Sequence, residues 1–202
     1  LTLLCGLKKP QIGSIVIDGH DPFRREPSLL SDEYYLSDEV AGFNMKAMDY
    51  AVNYGKFWEG FDLDKFVEIM GLFENDPQKK MNKMSFGQLK KTYIAFALAC
   101  NTKYLFMDEP TNGLDIPSKA QFRKAMMKYT REDSVIVIST HQVRDLENII
   151  DPIIILDKQD VLLNATVEEI SERLYFDYSN ERKEGALYSE MTPGGSIQVL
   201  HN

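Results

Sequence analysis

The sequence predicts an α/β fold: a mostly parallel sheet with helices on both faces and an inserted helical subdomain. Residues 104–107 and 135–138 are apolar throughout, and a helical pattern lies between them. Strands that are apolar on both faces are typical of parallel sheets that helices cover on both sides. A long helical stretch precedes the first of these strands and indicates the inserted subdomain.

The first half of the chain is predicted to contain four helices and two strands. In chain order these are a helix at 1–7, strands at 14–19 and 34–36, and helices at 45–57, 63–73 and 85–101. Apolar residues at helical spacing predict the longer helices. Asp62 and Ser85 are residue types that cap helix N-termini, and Gln88 completes a capping box with Ser85.

The second half is predicted to alternate strands with helices and to end in a hairpin. The elements are strands at 104–107, 135–138, 153–156 and 161–163, helices from Pro117 and over 143–150, and a hairpin between 186–188 and 197–200. Pro117 fits the first position of a helix, where its missing N–H would have no partner.

These elements predict three regions of the chain. The regions are an α/β core at 1–36 and 100–175, a helical subdomain at 37–99 and a C-terminal extension at 176–202.

The net charge and the residue composition limit the kinds of molecule that the protein is expected to bind. The net charge is −8 and the isoelectric point about 5.0, which argues against a nucleic-acid partner and against an anionic lipid surface. No apolar stretch approaches the roughly 18 residues that a membrane-spanning helix needs. Cys5 and Cys100 lie in apolar contexts without metal-ligand spacing, which favours buried free thiols in a reducing compartment.

Two carboxylates follow the apolar strand predicted at 104–107. Asp108 and Glu109 would lie at its carboxyl end, the edge at which open α/β sheets bind ligands. A carboxylate there can hold Mg²⁺ beside nucleotide phosphates, and a neighbouring one can orient or deprotonate a water. Adjacent acids in a loop can also serve solvation alone, so the pair by itself leaves both interpretations open.

Three further motifs carry polar side chains that suit a phosphate site. They are Ser85-x-Gly87-Gln88 at a helix N-terminus, Gly113-Leu114-Asp115 in a turn, and Ser139-Thr140-His141 directly after a strand. Helix N-termini bind anions, and a histidine at a strand end can donate a hydrogen bond to phosphate. Taken singly, these motifs are equally an ordinary capping box, a turn and a surface histidine.

The order of the four motifs resembles the ATPase subunit of ABC transporters. Residues 84–88 resemble its signature motif, 106–109 the end of Walker B, 112–115 the D-loop and 139–141 the switch-histidine segment. The resemblance extends from residue 1 to about 174 and implies a P-loop NTPase-type fold.

The sequence departs from that resemblance in one motif. The phosphate loop G-x-x-x-x-G-K-S/T does not occur in the 202 residues. We therefore expect an N-terminally truncated domain, lacking the part with the Walker A loop, that binds ATP poorly by itself.

The resemblance implies a role for each matching residue. Glu109 would be the general base for the attacking water, His141 would contact the γ-phosphate, and Asp108 would hold Mg²⁺. The implied nucleotide-binding residues are Ser85, Gly87, Gln88, Asp115 and Asp38. The signature residues would complete the ATP site of a second ATPase subunit in a head-to-tail dimer, and Asp115 would act across the same interface.

Four positions depart from the family pattern. Met84 replaces the leading leucine of the signature motif, and Phe86 replaces its first glycine. Asp38 stands where the Q-loop glutamine is expected, and Lys91 replaces an arginine. Lysine keeps the charge of arginine but lacks its planar fork of donors.

The implied function is hydrolysis of ATP that powers transport through a separate transmembrane permease subunit. The chain would then lie in the cytoplasm at the inner face of the cell membrane. One alternative is a non-transport ABC ATPase of the translation-factor or DNA-repair type. Another is a degenerate, non-catalytic subunit. The departures at Phe86 and Asp38 favour this alternative, whereas the presence of both Glu109 and His141 argues against it.

Overall fold

The computed structural model describes residues 1–146, 148–158, 160–181 and 183–202. The chain forms two compact units, Leu1–Ile149 and Ile150–Asn202. Within the described residues, no helix is both long and apolar enough to cross a membrane.

The first unit contains a parallel sheet of three strands. These are β1 (Glu33–Leu36), β2 (Tyr104–Asp108) and β3 (Val135–Ser139), in the order β1-β2-β3. Both pairings of β2 are parallel, and its three middle residues are buried. The predicted α/β class with a parallel sheet is thus confirmed, and the carboxyl ends of the strands share one edge.

Among the described residues of this unit, five α-helices accompany the sheet. They are α1 (Pro27–Asp32), α2 (Ala47–Gly55), α3 (Leu63–Leu72), α4 (Phe86–Ala99) and α5 (Ile116–Tyr129). The predicted caps are confirmed, since the side chain of Asp62 accepts a hydrogen bond from Lys65 N and Ser85 with Gln88 forms a capping box. Helix α5 begins at Ile116, so Pro117 occupies the second helical position and not the first, as was predicted.

Helix α4 is the centre of the first unit. It packs against α3, α5 and β1, and every residue from Thr92 to Ala99 is buried. The ring of Phe96 lies 5.0 Å from that of Tyr50 and 5.7 Å from that of Trp58, in edge-on geometry. Aromatic pairs in this arrangement add to the free energy gained by burial.

Two predicted elements near the N-terminus do not form. Residues 1–7 make hydrogen-bonded turns and no helix, because Gly6 adopts a φ of +62° and the chain folds back, with Leu7 N donating to Thr2 O. Residues 14–19 form no strand, since Ile17 pairs only with His20 across a tight turn.

The helix predicted at 143–150 is shorter than expected. A 3-10 helix covers Val143–Leu146, and a turn follows in which Ile149 N donates to Leu146 O. Glu147, inside the predicted helix, lies outside the described residues.

The second unit consists mainly of antiparallel strands. Strands β4 (Ile153–Asp157) and β5 (Asp160–Ala165) form a two-stranded sheet. A second sheet contains β6 (Leu174–Ser179), β7 (Tyr188–Thr192) and β8 (Gly195–His201), and β8 lies between the other two strands. Strands β7 and β8 form a C-terminal hairpin, in which β7 begins at the last residue of the strand predicted at 186–188. Strand β6 and a helix α6 (Val167–Arg173) were not predicted.

Helix α5 provides a test of the core. Phe122 is fully buried, whereas Met127, on the same helix, is 75% exposed. We expect Phe122→Ala to lower the free energy of unfolding by about 3–5 kcal/mol, because the truncation leaves a cavity. Met127→Ala is the matched control and should change it by less than about 0.5 kcal/mol. Urea denaturation measures both, and equal effects would contradict the assigned faces of α5.

Cys100 provides a test of the pH dependence of stability. Burial raises the pKa of its thiol above the usual 9.0, so the folded protein keeps the proton at a pH where the unfolded chain loses it. Stability from this group is therefore full below pH 9 and is lost as the pH rises further, by up to about 1.4 kcal/mol per pH unit.

In the variant Cys100→Ala, the free energy of unfolding should fall less steeply with pH above 9 than in the wild-type protein. Urea denaturation at several pH values measures the two slopes. Equal slopes would show that the thiol titrates alike in both states.

Candidate functional site

Asp108, the last residue of β2, lies at the carboxyl edge of the parallel sheet. Its register partner is Ser139, the last residue of β3, whose hydroxyl donates a hydrogen bond to the Asp108 carboxylate. The Tyr35 hydroxyl of β1 lies 3.3 Å from the other carboxylate oxygen. Burial and the nearby Asp108 charge raise the pKa of Tyr35. All three strands thus contribute to this one carboxyl group.

Glu109 turns away from the sheet with an unusual backbone. Its N–H donates to Ser139 O at 2.9 Å, which extends the strand pairing, but its φ is +43°. A non-glycine residue rarely adopts a positive φ, and such residues cluster at functional sites. The turn directs the side chain towards the segment that follows β3.

The carboxylate of Glu109 accepts three hydrogen bonds from that segment. The Thr140 hydroxyl bonds one oxygen at 3.0 Å, and the backbone N–H of His141 bonds the other at 3.0 Å. Nδ1 of His141 lies 2.7 Å from the second oxygen. The predicted base and the predicted switch histidine are thus in direct contact, and 71% of the His141 side chain is exposed to solvent.

Asp38 contacts residues other than those around Asp108 and Glu109. Lys90 of α4, with a fully buried side chain, places its Nζ 3.2 Å from an Asp38 carboxylate oxygen and 2.9 Å from the Asp38 backbone oxygen. The side-chain amide of Asn112 lies 3.1 and 3.2 Å from the two carboxylate oxygens. Burial lowers the pKa of Lys90, because it disfavours the charged ammonium group. Asp38 therefore joins α4 to the turn after Glu109.

Lys90 was not recognised in the sequence. The available signal was its position one turn before the run of apolar residues at 93–99 on the same helix. A lysine in that setting is either half-exposed or paired.

The signature-like residues form the N-terminus of α4. Ser85 Oγ accepts from Gln88 N at 3.2 Å, and Gln88 Oε1 accepts both from Ser85 N at 3.1 Å and from the Lys79 ammonium at 2.8 Å. None of the hydrogen bonds found among the described residues joins this group to Asp108 or Glu109. Among the described residues, Ser85 and Gln88 are therefore held by their own capping contacts and by Lys79, without a hydrogen bond to the two carboxylates.

Phe86 packs on the turn that contains Gly113. A Cβ at Gly113 would lie 2.4 Å from the Phe86 ring, and φ at Gly113 is +74°. Gly87 is also close, since a Cβ there would lie 3.3 Å from Gly113 O. Glycine at 113 is thus required both by its backbone conformation and by the close approach of the Phe86 ring.

Asp115 caps α5. Its carboxylate accepts from Ser118 N at 2.9 Å, and hydrogen bonding by Ser118 lowers the pKa of Asp115. The residue is exposed, so its carboxylate is accessible from outside the chain.

The site suits a magnesium ion that is bound by one protein carboxylate and otherwise by phosphate and water oxygens. No cluster of three or more His, Cys, Asp or Glu that could hold a metal was found in residues 1–146, 148–158, 160–181 and 183–202. Mg²⁺ is commonly bound by one or two carboxylates together with phosphate and water oxygens. Asp108, a carboxylate on the ligand-binding edge of the sheet, fits that mode.

Comparison with known proteins identifies the class. A family model described as ABC transporter matches residues 1–112, more than half of the chain. The chain belongs to the ABC transporter family.

Two curated relatives are ATP-binding proteins of transporters. The bacitracin transport ATP-binding protein BcrA of Bacillus licheniformis is 28% identical over 193 residues, which cover 91% of this chain and 62% of BcrA. The energy-coupling factor transporter ATP-binding protein EcfA2 of Streptococcus pyogenes is 31% identical over 108 residues, 54% of this chain and 39% of EcfA2. The chain thus spans less than two thirds of the length of these relatives.

Solved structures show the same fold. A structure described as the ATP-binding subunit of an ABC transporter has a TM-score of 0.71 at 19% identity, covering 84% of this chain and 73% of its own. A structure described as a cobalt transport ATP-binding protein has a TM-score of 0.68 at 18% identity, covering 100% and 75%. These neighbours confirm the predicted fold of ABC ATPase domains.

Asp38 offers a test of the contacts around Lys90. We expect Asp38→Asn to lower the free energy of unfolding by about 1.5–3 kcal/mol, because the buried ammonium loses a charged hydrogen-bond partner. Its exposed neighbour Glu39 provides the control, and Glu39→Gln should have almost no effect. Chemical denaturation compares the three proteins. An Asp38→Asn variant as stable as the control would contradict the pairing.

Proposed function

We propose that this chain belongs to an ATP-hydrolysing subunit that powers an ABC transporter. The observation that carries the proposal is the Glu109 carboxylate, held by Thr140 and His141 beside Asp108 at the carboxyl edge of the sheet. This edge is where α/β folds bind nucleotides. The curated relatives are transport proteins, and this favours transport over the non-transport alternatives.

In this proposal Glu109 is the general base. Its carboxylate accepts a proton from the water that attacks the γ-phosphate, and the three hydrogen bonds keep it oriented for that step. His141, mostly exposed, donates to the γ-phosphate. Phosphoryl transfer depends chiefly on position and on neutralisation of charge, both of which these groups supply.

Asp108 would hold Mg²⁺ through a water ligand. When bound, the ion neutralises phosphate charge. The Tyr35 and Ser139 hydroxyls orient the Asp108 carboxylate through their hydrogen bonds.

The signature-like residues would act on a second subunit. Ser85, Gly87 and Gln88 make no hydrogen bond to the carboxylates of their own chain among the described contacts, which agrees with a site shared between two head-to-tail subunits. Asp115 would contribute across that interface, and Asp38 would act near the nucleotide through Asn112 and Lys90.

The remaining partner would be a transmembrane permease. The subunit would then lie in the cytoplasm, held at the inner face of the membrane by that permease. We also propose that 1–36 and 100–175 form the ATPase core, 37–99 the helical subdomain and 176–202 an extension. ATP hydrolysis is to be measured on the full gene product assembled with its permease.

Glu109→Gln tests the proposed base. We expect ATP hydrolysis to fall at least about a hundredfold, because the amide cannot accept the proton from water. ATP binding should persist, and an ATP-bound dimer should accumulate in size-exclusion chromatography. The control is Glu132→Gln, an exposed carboxylate in the turn before β3. Normal turnover by Glu109→Gln would rule out Glu109 as the base.

A further inference from the structure

One lysine of α4 reaches the edge of the sheet that carries the candidate site. Strands β1 and β2 pair in parallel, so their carboxyl ends share this edge. The Lys90 ammonium lies 3.3 Å from Ser37 O and 2.9 Å from Asp38 O, the first two backbone oxygens after β1. The head group of Lys90 therefore lies where the chain leaves β1, next to the end of β2.

The contacts of the Lys90 nitrogen indicate that it is a charged ammonium group. An ammonium group has three donors and no acceptor. The nitrogen has three oxygen partners, because a carboxylate oxygen of Asp38 at 3.2 Å joins the two backbone oxygens. A neutral amine would turn its lone pair towards one of these oxygens. The Lys90 side chain is fully buried, and a buried charge needs a partner of opposite sign, so Asp38 is its counter-ion.

The Lys90 charge also acts on the carboxylates at the end of β2. Burial lowers the pKa of Lys90, whereas Asp38, Asp108 and Glu109 raise it through their charges. Such an interaction is mutual, so the ammonium stabilises the ionised form of these carboxylates. Among the ion pairs of the residues that the structure describes, the contact with His141 is the only one that Asp108 or Glu109 makes.

This edge combines negative groups with a negatively charged ligand. Asp38, Asp108 and Glu109 are three carboxylates close to one another, and in the proposed function the same edge binds the phosphates of ATP. Like charges repel, and in a partly buried region this repulsion is screened only weakly by water and salt. A cation paired with one of the three carboxylates reduces the negative charge that the nucleotide meets.

We propose that Lys90 and Asp38 form a charge-compensating pair for the nucleotide-binding edge. Lys90 supplies a built-in positive charge, and Asp38 holds that charge in place. Neither residue contacts the proposed reacting atoms, so both act on the nucleotide through the electrostatic potential of the edge. The identity of the ligand rests on the proposed function, whereas the mutual dependence of the two charges does not.

Nucleotide affinity tests the pair in the full gene product with its permease. Lys90→Met leaves Asp38 unpaired, so we expect the Kd of ATP with Mg²⁺ to rise about threefold to thirtyfold. The Kd of ADP with Mg²⁺ should rise less, because ADP carries one negative charge fewer than ATP. Displacement of a fluorescent ATP analogue measures both constants. Lys124→Met removes the same charge from an exposed position on α5 and, as the matched control, should leave them unchanged.

The other half of the pair should have no such effect. Asp38→Asn removes a negative charge from the edge, so this variant should bind ATP at least as tightly as the wild-type protein. The double variant Lys90→Met/Asp38→Asn has no net charge at the pair and should return to within about twofold of the wild-type Kd. A lysine that only positions the chain would instead give weaker binding in both single variants and no recovery in the double variant.

Thermal unfolding supplies a readout that needs no nucleotide. Asp38→Asn leaves the buried ammonium without its counter-ion, whereas the double variant replaces the ammonium by an apolar side chain. The double variant should therefore melt about 2–4 °C above Asp38→Asn. Should Lys90→Met fail to fold, Asp38→Asn, at a half-exposed position, still tests the sign of the effect on ATP affinity.

Weaker ATP binding by Asp38→Asn would overturn the inference, as would a double variant that binds as weakly as Lys90→Met. Equal losses of ATP and ADP affinity in Lys90→Met would contradict the electrostatic role. If the wild-type gene product binds no ATP, the proposed function fails, and the melting temperatures still decide about the pair. A double variant no more stable than Asp38→Asn would then show that the two charges do not depend on each other.

Discussion

The parallel pairing of β2 with β3 is the constraint on which the candidate site depends. Its register sets Asp108 opposite Ser139, so the residues that leave the two strands next emerge side by side. Glu109 continues the pairing by one backbone hydrogen bond before its positive φ turns it towards His141. A slip of one residue would turn every side chain of β2 to the opposite face and separate these groups.

Helix α4 connects this edge to the other functional segments. Its buried Lys90 binds Asp38 after β1, and Asp38 in turn binds Asn112 in the turn after Glu109. At its N-terminus, Phe86 covers Gly113 of the same turn. Two contacts of different chemistry, one ionic and one aromatic, thus hold the turn against the helix.

The sequence was informative where several local signals agreed. For α3, α4 and the two apolar strands, cap residues and apolar spacing indicated the same element, and the structure confirms them. Residues 14–19 had only the short apolar run 15–17 as a signal, and they form no strand. The shared edge of Asp108, Glu109 and His141 was predictable because these residues follow two apolar strands of a sheet expected to be parallel.

The contacts within the site could not be read from the sequence. A lysine such as Lys90 is usually solvent-exposed, and only tertiary packing shows what it binds. The positive φ of Glu109, which directs its carboxylate onto His141, likewise has no signature in the residue type.

The central claim is that Glu109 and His141 face the γ-phosphate at a site that a second subunit completes. A structure of the full gene product with Mg²⁺ and a non-hydrolysable ATP analogue tests it most directly. The account predicts the γ-phosphate within hydrogen-bond distance of His141, a water between it and Glu109, and the Ser85 hydroxyl of a second copy or homologous subunit on the same nucleotide. A nucleotide bound away from this edge, or a site completed within one chain, would contradict it.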